Sequence, residues 1–269
     1  MSSKGLGDRR APAVLRRSIL LGLLTCALLR GALLFWIGIS DPGTGVLFAL
    51  GAGAFVPKLI GGFEPFVQVL SVAPDLLVLF QLSDYVSSAL RRESSLALPR
   101  AGGRRAWAGE KCLRLAVCVI LYEVASTLAV LAAAALLSGA ASADLAALLA
   151  PVLQCALLDS VLLLVLILCA NLLALGRDAI VAFAMVTGVH VAALLALTAV
   201  PLDAARSLAR WVPSACGIPA WHLSLCEACG NTSAVAADMS PAASAVALLA
   251  LSAALALALI RSVQRTDLI

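Results

Sequence analysis

Polar side chains inside otherwise apolar stretches are the residues of this 269-residue chain that could carry chemistry. An ionisable group in a stretch that crosses a membrane is costly, and it usually marks a transport pathway, a proton relay or an interhelical pair. Glu123 and Asp159 lie deepest in apolar stretches, so they are the best candidates for these roles. Because the set has no recognisable spacing, the pattern favours a structural pair or hydrogen-bond network. The set is Arg30, Asp75, Asp84, Glu123, Gln154, Asp159, Asn171 and His190.

Arg30 is the one basic residue of that set. Its side chain could extend to the far membrane interface, where Trp36 would be a neighbouring aromatic anchor. It could also pair with a buried acid, which would give it a functional role. The position of Arg30 past the middle of its apolar stretch favours the first interpretation.

A second group combines cysteine and histidine within 14 residues of CGIPAWHLSLCEAC. Sulfur and imidazole ligands at this density could form a tetrahedral zinc site. However, the spacing matches no standard zinc finger, and disulfide or plain structural cysteines are the favoured interpretation. The weak metal candidates are Cys216, His222, Cys226 and Cys229.

Several enzyme motifs are absent from the sequence. No Gly-Lys dipeptide occurs, so there is no P-loop and the chain cannot hydrolyse ATP by that route. There is also no HExxH, no GxSxG, and only two histidines. We therefore expect a protein that is not an enzyme and that binds no cofactor itself.

The composition predicts an all-α, polytopic integral membrane protein. Apolar residues make up 62% of the chain and charged residues only 13%, with a mean hydropathy of +1.05. A soluble domain is nearer half apolar and a quarter charged. The net charge of +4 does not indicate nucleic-acid binding, because the basic residues lie at the ends of apolar segments and in one loop.

That loop is the 24-residue stretch Arg91 to Arg114, RRESSLALPRAGGRRAWAGEKCLR, which holds seven of the nineteen basic residues. It lies between two strongly apolar segments, so it fixes which side of the membrane is which. It is also the expected docking place for a soluble partner.

Apolar stretches of about 20 residues, the length needed to cross a bilayer, predict six transmembrane helices in a single domain, 1–269. The second span is ambiguous between 45–63 and 66–90, and we choose 66–90. The predicted spans are approximately 17–39, 66–90, 112–137, 145–175, 180–200 and 241–260, with a cytoplasmic loop at 91–111 and an external region at 201–240.

Charge counting gives the orientation. In the six-span arrangement fifteen of the nineteen basic residues lie on one side and three on the other, with Arg30 inside the membrane. Cytoplasmic loops carry the excess of Lys and Arg. Both termini are therefore predicted to be cytoplasmic, in the cell membrane.

This layout resembles the membrane-spanning permease subunit of a type 2 ABC exporter. The resemblance rests on the basic lead-in at 8–17, the basic loop after the second span, and the tight turn at 175–179. It also rests on the long external segment with WVPSACGIPAWH and on the short basic tail. It covers nearly the whole chain but contains no diagnostic motif.

The resemblance implies a function. The chain would move a substrate across the membrane, using ATP hydrolysed by a separate subunit that docks on the basic loop. It would work as a homodimer, or with a related membrane subunit, and its external segment would dip back into the outer leaflet. The docking residues would be Arg100, Arg104, Arg105, Trp107 and Glu110.

Two other functional classes stay open. An ion- or proton-coupled carrier could use Glu123, Asp159 or Arg30. A non-transporting membrane anchor or immunity-type protein would only bind partners. The sequence indicates neither the substrate nor the direction of transport.

Overall fold

A computed structural model describes residues 20–25, 28, 29, 32, 64–93, 103–138, 142–228 and 237–265. The described residues are almost entirely helical, and they contain no β-strand beyond one isolated bridge between His222 and Ala237. The predicted all-α class is confirmed for them. Arg30, Arg100, Cys229 and the stretch 45–63 lie outside the described residues.

The described helices follow one another with short connections. In chain order they are α1 (Glu64–Leu82), α2 (Tyr85–Glu93), α3 (Arg104–Ser138), α4 (Ser142–Ala174), α5 (Ala179–Ala199), α6 (Leu202–Ala209), α7 (Pro213–Cys216), a 3-10 turn (Pro219–Trp221), α8 (Leu223–Ala228) and α9 (Pro241–Arg265).

Four of these helices contain a segment long and apolar enough to cross a membrane. This supports a multi-pass membrane protein, while the total of six spans and the side of the termini stay predictions. The segments are Arg104–Ala133, Leu149–Ala174, Ala179–Leu197 and Pro241–Arg265.

The predicted second span, 66–90, is not one continuous helix. α1 ends at Leu82 and α2 begins at Tyr85, with a turn at Ser83 and Asp84 between them. α1 also contains Pro74, which removes one backbone donor from the helix. The apolar stretch therefore continues through a break that hydropathy alone cannot reveal.

Much of the predicted loop 91–111 is also helical. α2 extends to Glu93, and α3 begins at Arg104, well before the predicted start of the third span at Cys112. Gly103, immediately before α3, has φ of 107°, a left-handed conformation that glycine adopts without a Cβ penalty. The charged segment after it is rich in good helix formers, so the helix extends beyond its apolar part.

α4 lies at the centre of the bundle and packs against α3, α5 and α9. A helix that is apolar on all sides is suited to such a position. The connection from α4 to α5 is as tight as predicted, and the Asp178 carboxylate caps α5 by accepting a hydrogen bond from the Ile180 N–H at 2.8 Å. The helical residues 20–25 lie beside α1 and α3, where Gly22 packs against Val78 and Tyr122.

The core has two parts, one toward each end of the bundle. The first part joins α1, α2, α3, α4 and α9 at the end that carries Arg104. The second joins α4, α5 and α9 to the segment between α5 and α9. Trp221, in that segment, is fully buried, so the predicted external region is an integral part of the fold.

Candidate functional site

Three acidic side chains from three different helices meet inside the bundle. Asp75 of α1, Glu123 of α3 and Asp159 of α4 each place one carboxylate oxygen within 4.8 Å of the other two. Glu123 is only 1% exposed. The structure therefore brings together the two acids that the sequence favoured and adds Asp75 to them.

Hydroxyl groups surround this carboxylate cluster. The buried Tyr122 hydroxyl donates a hydrogen bond to Asp75 Oδ1 at 2.9 Å. The Ser126 hydroxyl lies 3.3 Å from Glu123 Oε2 and 3.1 Å from the Glu123 carbonyl oxygen. All three carboxylates also take part in further polar contacts.

The spacing of the cluster makes it electrostatically costly on its own. Like charges at this distance repel one another, and burial in an apolar region adds to the cost of carrying charge. Such a group is stable when it shares protons, binds a cation or faces a basic side chain. Its oxygen ligands would suit a hard cation such as Mg²⁺ or Ca²⁺.

A small cavity of about 40 Å³ adjoins the carboxylate cluster. That volume exceeds the roughly 10–15 Å³ that one water molecule needs. Asp75, Asp159 and His190 supply its polar lining, and Ile218 borders it from the segment between α5 and α9. The remaining lining is leucine and valine: Val72, Leu76, Leu79, Leu162, Leu163 and Leu166.

His190 links this cavity to the segment between α5 and α9. Its side chain is 8% exposed, and its Nδ1 lies 2.9 Å from the Ser214 hydroxyl of α7. The sequence identified His190 as a polar residue within a span but could not identify Ser214, which lies 24 residues away. This contact ties the segment between α5 and α9 to α5 itself, beside the cavity.

The cysteine–histidine group does not form a metal site among its described members. His222 is fully buried, and its ring nitrogens face backbone carbonyls: Nε2 lies 3.0 Å from the Cys216 oxygen and Nδ1 3.3 Å from the Met239 oxygen. The imidazole is therefore occupied by the backbone rather than directed at sulfur.

Cys216 and Cys226 are buried thiols, and neither forms a disulfide with a residue that the structure describes. Burial raises the pKa of Cys216, and burial together with the nearby Glu227 carboxylate raises the pKa of Cys226 to about 11. Both thiols are therefore in the protonated form at neutral pH, which is the less reactive and less metal-binding form. This agrees with the interpretation of these two as structural cysteines.

The four predicted docking residues that the structure describes, Arg104, Arg105, Trp107 and Glu110, occupy the first turns of α3. Arg105 and Glu110 are exposed, and Glu110 forms an ion pair with Arg114. Arg104 contacts the end of α9, where its Nη1 donates to the Gln264 carbonyl at 3.4 Å. Trp107 is only 2% exposed, so its ring faces the interior of this chain rather than a partner.

Trp107 has a different environment from that of a surface docking residue. Its ring centroid lies 5.3 Å from Lys111 Nζ, and the Tyr85 ring centroid lies 5.7 Å from the same atom. Lys111 itself is 4% exposed. The cation–π contacts hold the ammonium between α2 and α3 and fix the two helices together.

Asn171 is a functional candidate whose role the sequence did not indicate. Its Oδ1 accepts from the Val86 N–H at 2.8 Å, and its Nδ2 lies 2.6 Å from the Leu82 oxygen and 2.9 Å from the Ile167 oxygen. It therefore satisfies backbone groups left open at the break between α1 and α2. The only sequence signal was an amide within an apolar helix.

No family model, no curated protein and no solved structure matches this chain.

Proposed function

We propose that this chain is the membrane-spanning permease subunit of an ABC-type exporter, which moves its substrate with ATP hydrolysed by a separate subunit. It would lie in the cell membrane with both termini in the cytoplasm. Two copies, or one copy and a related subunit, would together form the pathway.

The observation that carries this proposal is the segment between α5 and α9. It turns back against the bundle instead of extending away from it: Trp221 and His222 are fully buried, and α7 and the 3-10 turn pack against α4. The resemblance to type 2 exporters implies a segment of this kind before the last span. Its packing here supports the proposal.

The opposite end of the bundle offers a surface for a soluble ATPase. α2 ends with the exposed Arg91 and Arg92, and α3 begins with the exposed Arg105. The contacts of Lys111 hold α2 and α3 together at this end. An acidic partner surface would complement this basic end.

A push on this end would reach the membrane interior through α1 and α2. Asn171 ties the break between these helices to α4, and α1 carries Asp75 into the carboxylate cluster. For transport, the ATPase must bind the inward-open and outward-open states with different affinity, since otherwise nothing shifts between them. Rigid-body movement of α1 and α2 is the expected response.

Charge reversal at Arg105 tests the docking surface. Arg105→Glu should abolish co-purification of the ATPase subunit. The substitution replaces the exposed guanidinium with a carboxylate, which an acidic partner surface would repel. Arg105 is preferred to Arg104, whose contact with Gln264 stabilises this chain itself. Asp238→Lys, which reverses the charge of an exposed residue at the other end, is the matched control. Unchanged ATPase recovery and transport in Arg105→Glu would refute the proposal.

The carboxylate cluster favours one second candidate function, an ion- or proton-coupled carrier. Three acids at this spacing can exchange protons or a cation as helices move.

Such a carrier would need no ATPase. Glu123→Gln or Asp159→Asn should abolish its gradient-driven flux in proteoliposomes. Asp203→Asn, an exposed acid on α6, is the control. If flux is unchanged in both variants, the carrier is excluded. If no flux is measured under any condition, a membrane anchor is favoured.

A further inference from the structure

The helix α6 begins almost directly where α5 ends. Only Val200 and Pro201 separate the two helices, and two residues span at most about 7 Å. α5 contains a segment suited to crossing the membrane. The start of α6 must therefore lie close to the point where α5 leaves the membrane.

One side of α6 faces the protein. Ala205 and Ala209 are 1% and 0% exposed, and the half-buried Val212 continues the same side into the second part of the core. These positions follow the i, i+4, i+7 spacing that places residues on one face of a helix. The small alanines let α6 approach the bundle closely.

A second side of the helix carries polar residues. Asp203, Arg206, Ser207 and Arg210 occupy this side, and all but Arg206 are exposed. Arg206 pairs with Asp203 at 3.5 Å. Arg210 makes no ion pair with any residue that the structure describes.

A third side is apolar and exposed. Ala204, Leu208 and Trp211 follow the i, i+4, i+7 spacing, Leu208 is 47% exposed, and Trp211 is 80% exposed. The backbone stays helical through this point, because Arg210 has φ of −63° and ψ of −18° and the Trp211 N–H bonds to the Leu208 carbonyl at 2.9 Å. Trp211 thus continues the apolar side.

We propose that residues 202–211 are a lipid-binding element that lies in the headgroup region of the bilayer. Leu208 and Trp211 insert at the level of the glycerol and upper acyl chains, and Arg210 binds a lipid phosphate. Three sides suited to protein, water and lipid are what a helix needs when it lies along a membrane interface. Tryptophan is enriched at that depth, and a guanidinium complements a phosphate. This inference does not depend on the proposed transport function.

The depth of Trp211 can be measured by fluorescence quenching in bilayers that contain brominated lipids. The chain has four tryptophans, of which Trp107 and Trp221 are buried. In a Trp36→Phe background, Trp211→Phe should remove most of the emission that bromolipid quenches. Bromine high on the acyl chain should quench more strongly than bromine near its end. Trp107→Phe is the control and should leave the quenchable emission unchanged.

Each alternative has a distinct outcome in that experiment. If Trp211 faces water, aqueous iodide will quench its emission and bromolipid will not. If a second copy of the chain covers it, both quenchers will fail and a cysteine at position 211 will cross-link two copies. Either outcome overturns the inference.

The phosphate contact needs its own measurement. Anionic phosphatidylglycerol should raise the melting temperature of the protein above its value in phosphatidylcholine. Arg210→Gln should lose part of that increase, and Arg210→Lys should keep most of it, because a basic side chain near the surface is attracted to anionic lipid. Inorganic phosphate in detergent should not reproduce the increase. An equal increase in wild type and Arg210→Gln would overturn the role of Arg210.

Discussion

Asn171 uses both groups of its side-chain amide to close a break in a neighbouring helix. Its oxygen accepts one backbone hydrogen bond and its nitrogen donates to two carbonyls. The side chain is fully buried. An amide in this position replaces the hydrogen bonds that continuous helix would have supplied at Leu82 and Val86.

Asn171→Ala should therefore destabilise the protein. The Leu82 carbonyl and the Val86 N–H would lose their partner in an apolar environment, at a cost of about 1–3 kcal/mol. Thermal unfolding in detergent or nanodiscs measures the change. Gln154→Ala, which removes an exposed amide from the same helix, is the control and should leave the melting temperature nearly unchanged. Equal melting temperatures for both variants would contradict the role given to Asn171.

His222 should make stability depend on pH. Burial lowers the pKa of its imidazole below the ordinary value of about 6.5, although contacts with the Cys216 and Met239 carbonyls partly oppose the shift. The folded protein then keeps the ring neutral in a pH range where the unfolded chain binds a proton. Stability is full above about pH 6.5 and falls as the pH decreases toward the lower pKa of the folded state.

Melting temperatures at pH 7.5 and pH 5.5 test this expectation. The decrease between the two values should be smaller in His222→Asn, which has no titrating ring at this position. Although this variant is less stable overall, the comparison uses only its dependence on pH. If the melting temperature of His222→Asn decreases as much as that of the wild type, the pH dependence comes from other titrating groups.

Sequence reasoning found some of these residues and not others, for a physical reason. Glu123 and Asp159 could be identified because a carboxylate in an apolar stretch is unusual whatever its neighbours are. Asp75 as their partner, and Ser214 as the partner of His190, depend on how helices pack in register, which no local pattern encodes. Trp107 was expected at a docking surface, but the ring packs inward against Lys111.

At the scale of elements, the segment between α5 and α9 is held by a close backbone contact. A Cβ atom at Gly217 would overlap the side chain of Leu162 on α4. The segment carries Trp221 into the second part of the core. Gly217 is thus a position where only a residue without a side chain allows the observed approach.

Gly217→Ala should displace this segment from α4. Overpacking of this kind costs about 1–3 kcal/mol, and Leu162→Ala in the same chain should recover part of the loss by making room. Gly188→Ala on α5 is the control, because nothing lies within 4 Å of the added Cβ. Thermal unfolding of these three variants and the wild type forms the test, and an equal effect of both glycine substitutions would contradict it.

Hydropathy predicted the positions of three long apolar helices closely but missed other helix boundaries. The predicted spans 145–175, 180–200 and 241–260 agree closely with α4, α5 and α9. The start of α3 at Arg104 was missed, since helix formation continues through charged residues that leave the membrane. The break at Ser83 was missed too, because its stabilisation comes from Asn171 on another helix.

At the scale of the whole molecule, the described basic residues are distributed unevenly between the two ends of the bundle. The alternating directions of α3, α4, α5 and α9 place the start of α3, the turn before α5 and the end of α9 together, and the contact of Arg104 with Gln264 joins two of these points. Eight arginines belong to this end, whereas the opposite end has two, Arg206 and Arg210. The eight are Arg91, Arg92, Arg104, Arg105, Arg114, Arg177, Arg261 and Arg265.

The excess of arginine predicts that this end faces the cytoplasm. In intact cells, a membrane-impermeant maleimide should therefore label Asp238→Cys, an exposed position at the other end, but label Arg105→Cys or Arg177→Cys only after permeabilisation. The native Cys216 and Cys226 should add little background, because they are buried and burial raises their thiol pKa. The unsubstituted chain provides that baseline. The reverse labelling pattern would place Arg105 outside the cell, where no ATPase subunit could dock on it. That result would overturn both the predicted orientation and the permease proposal.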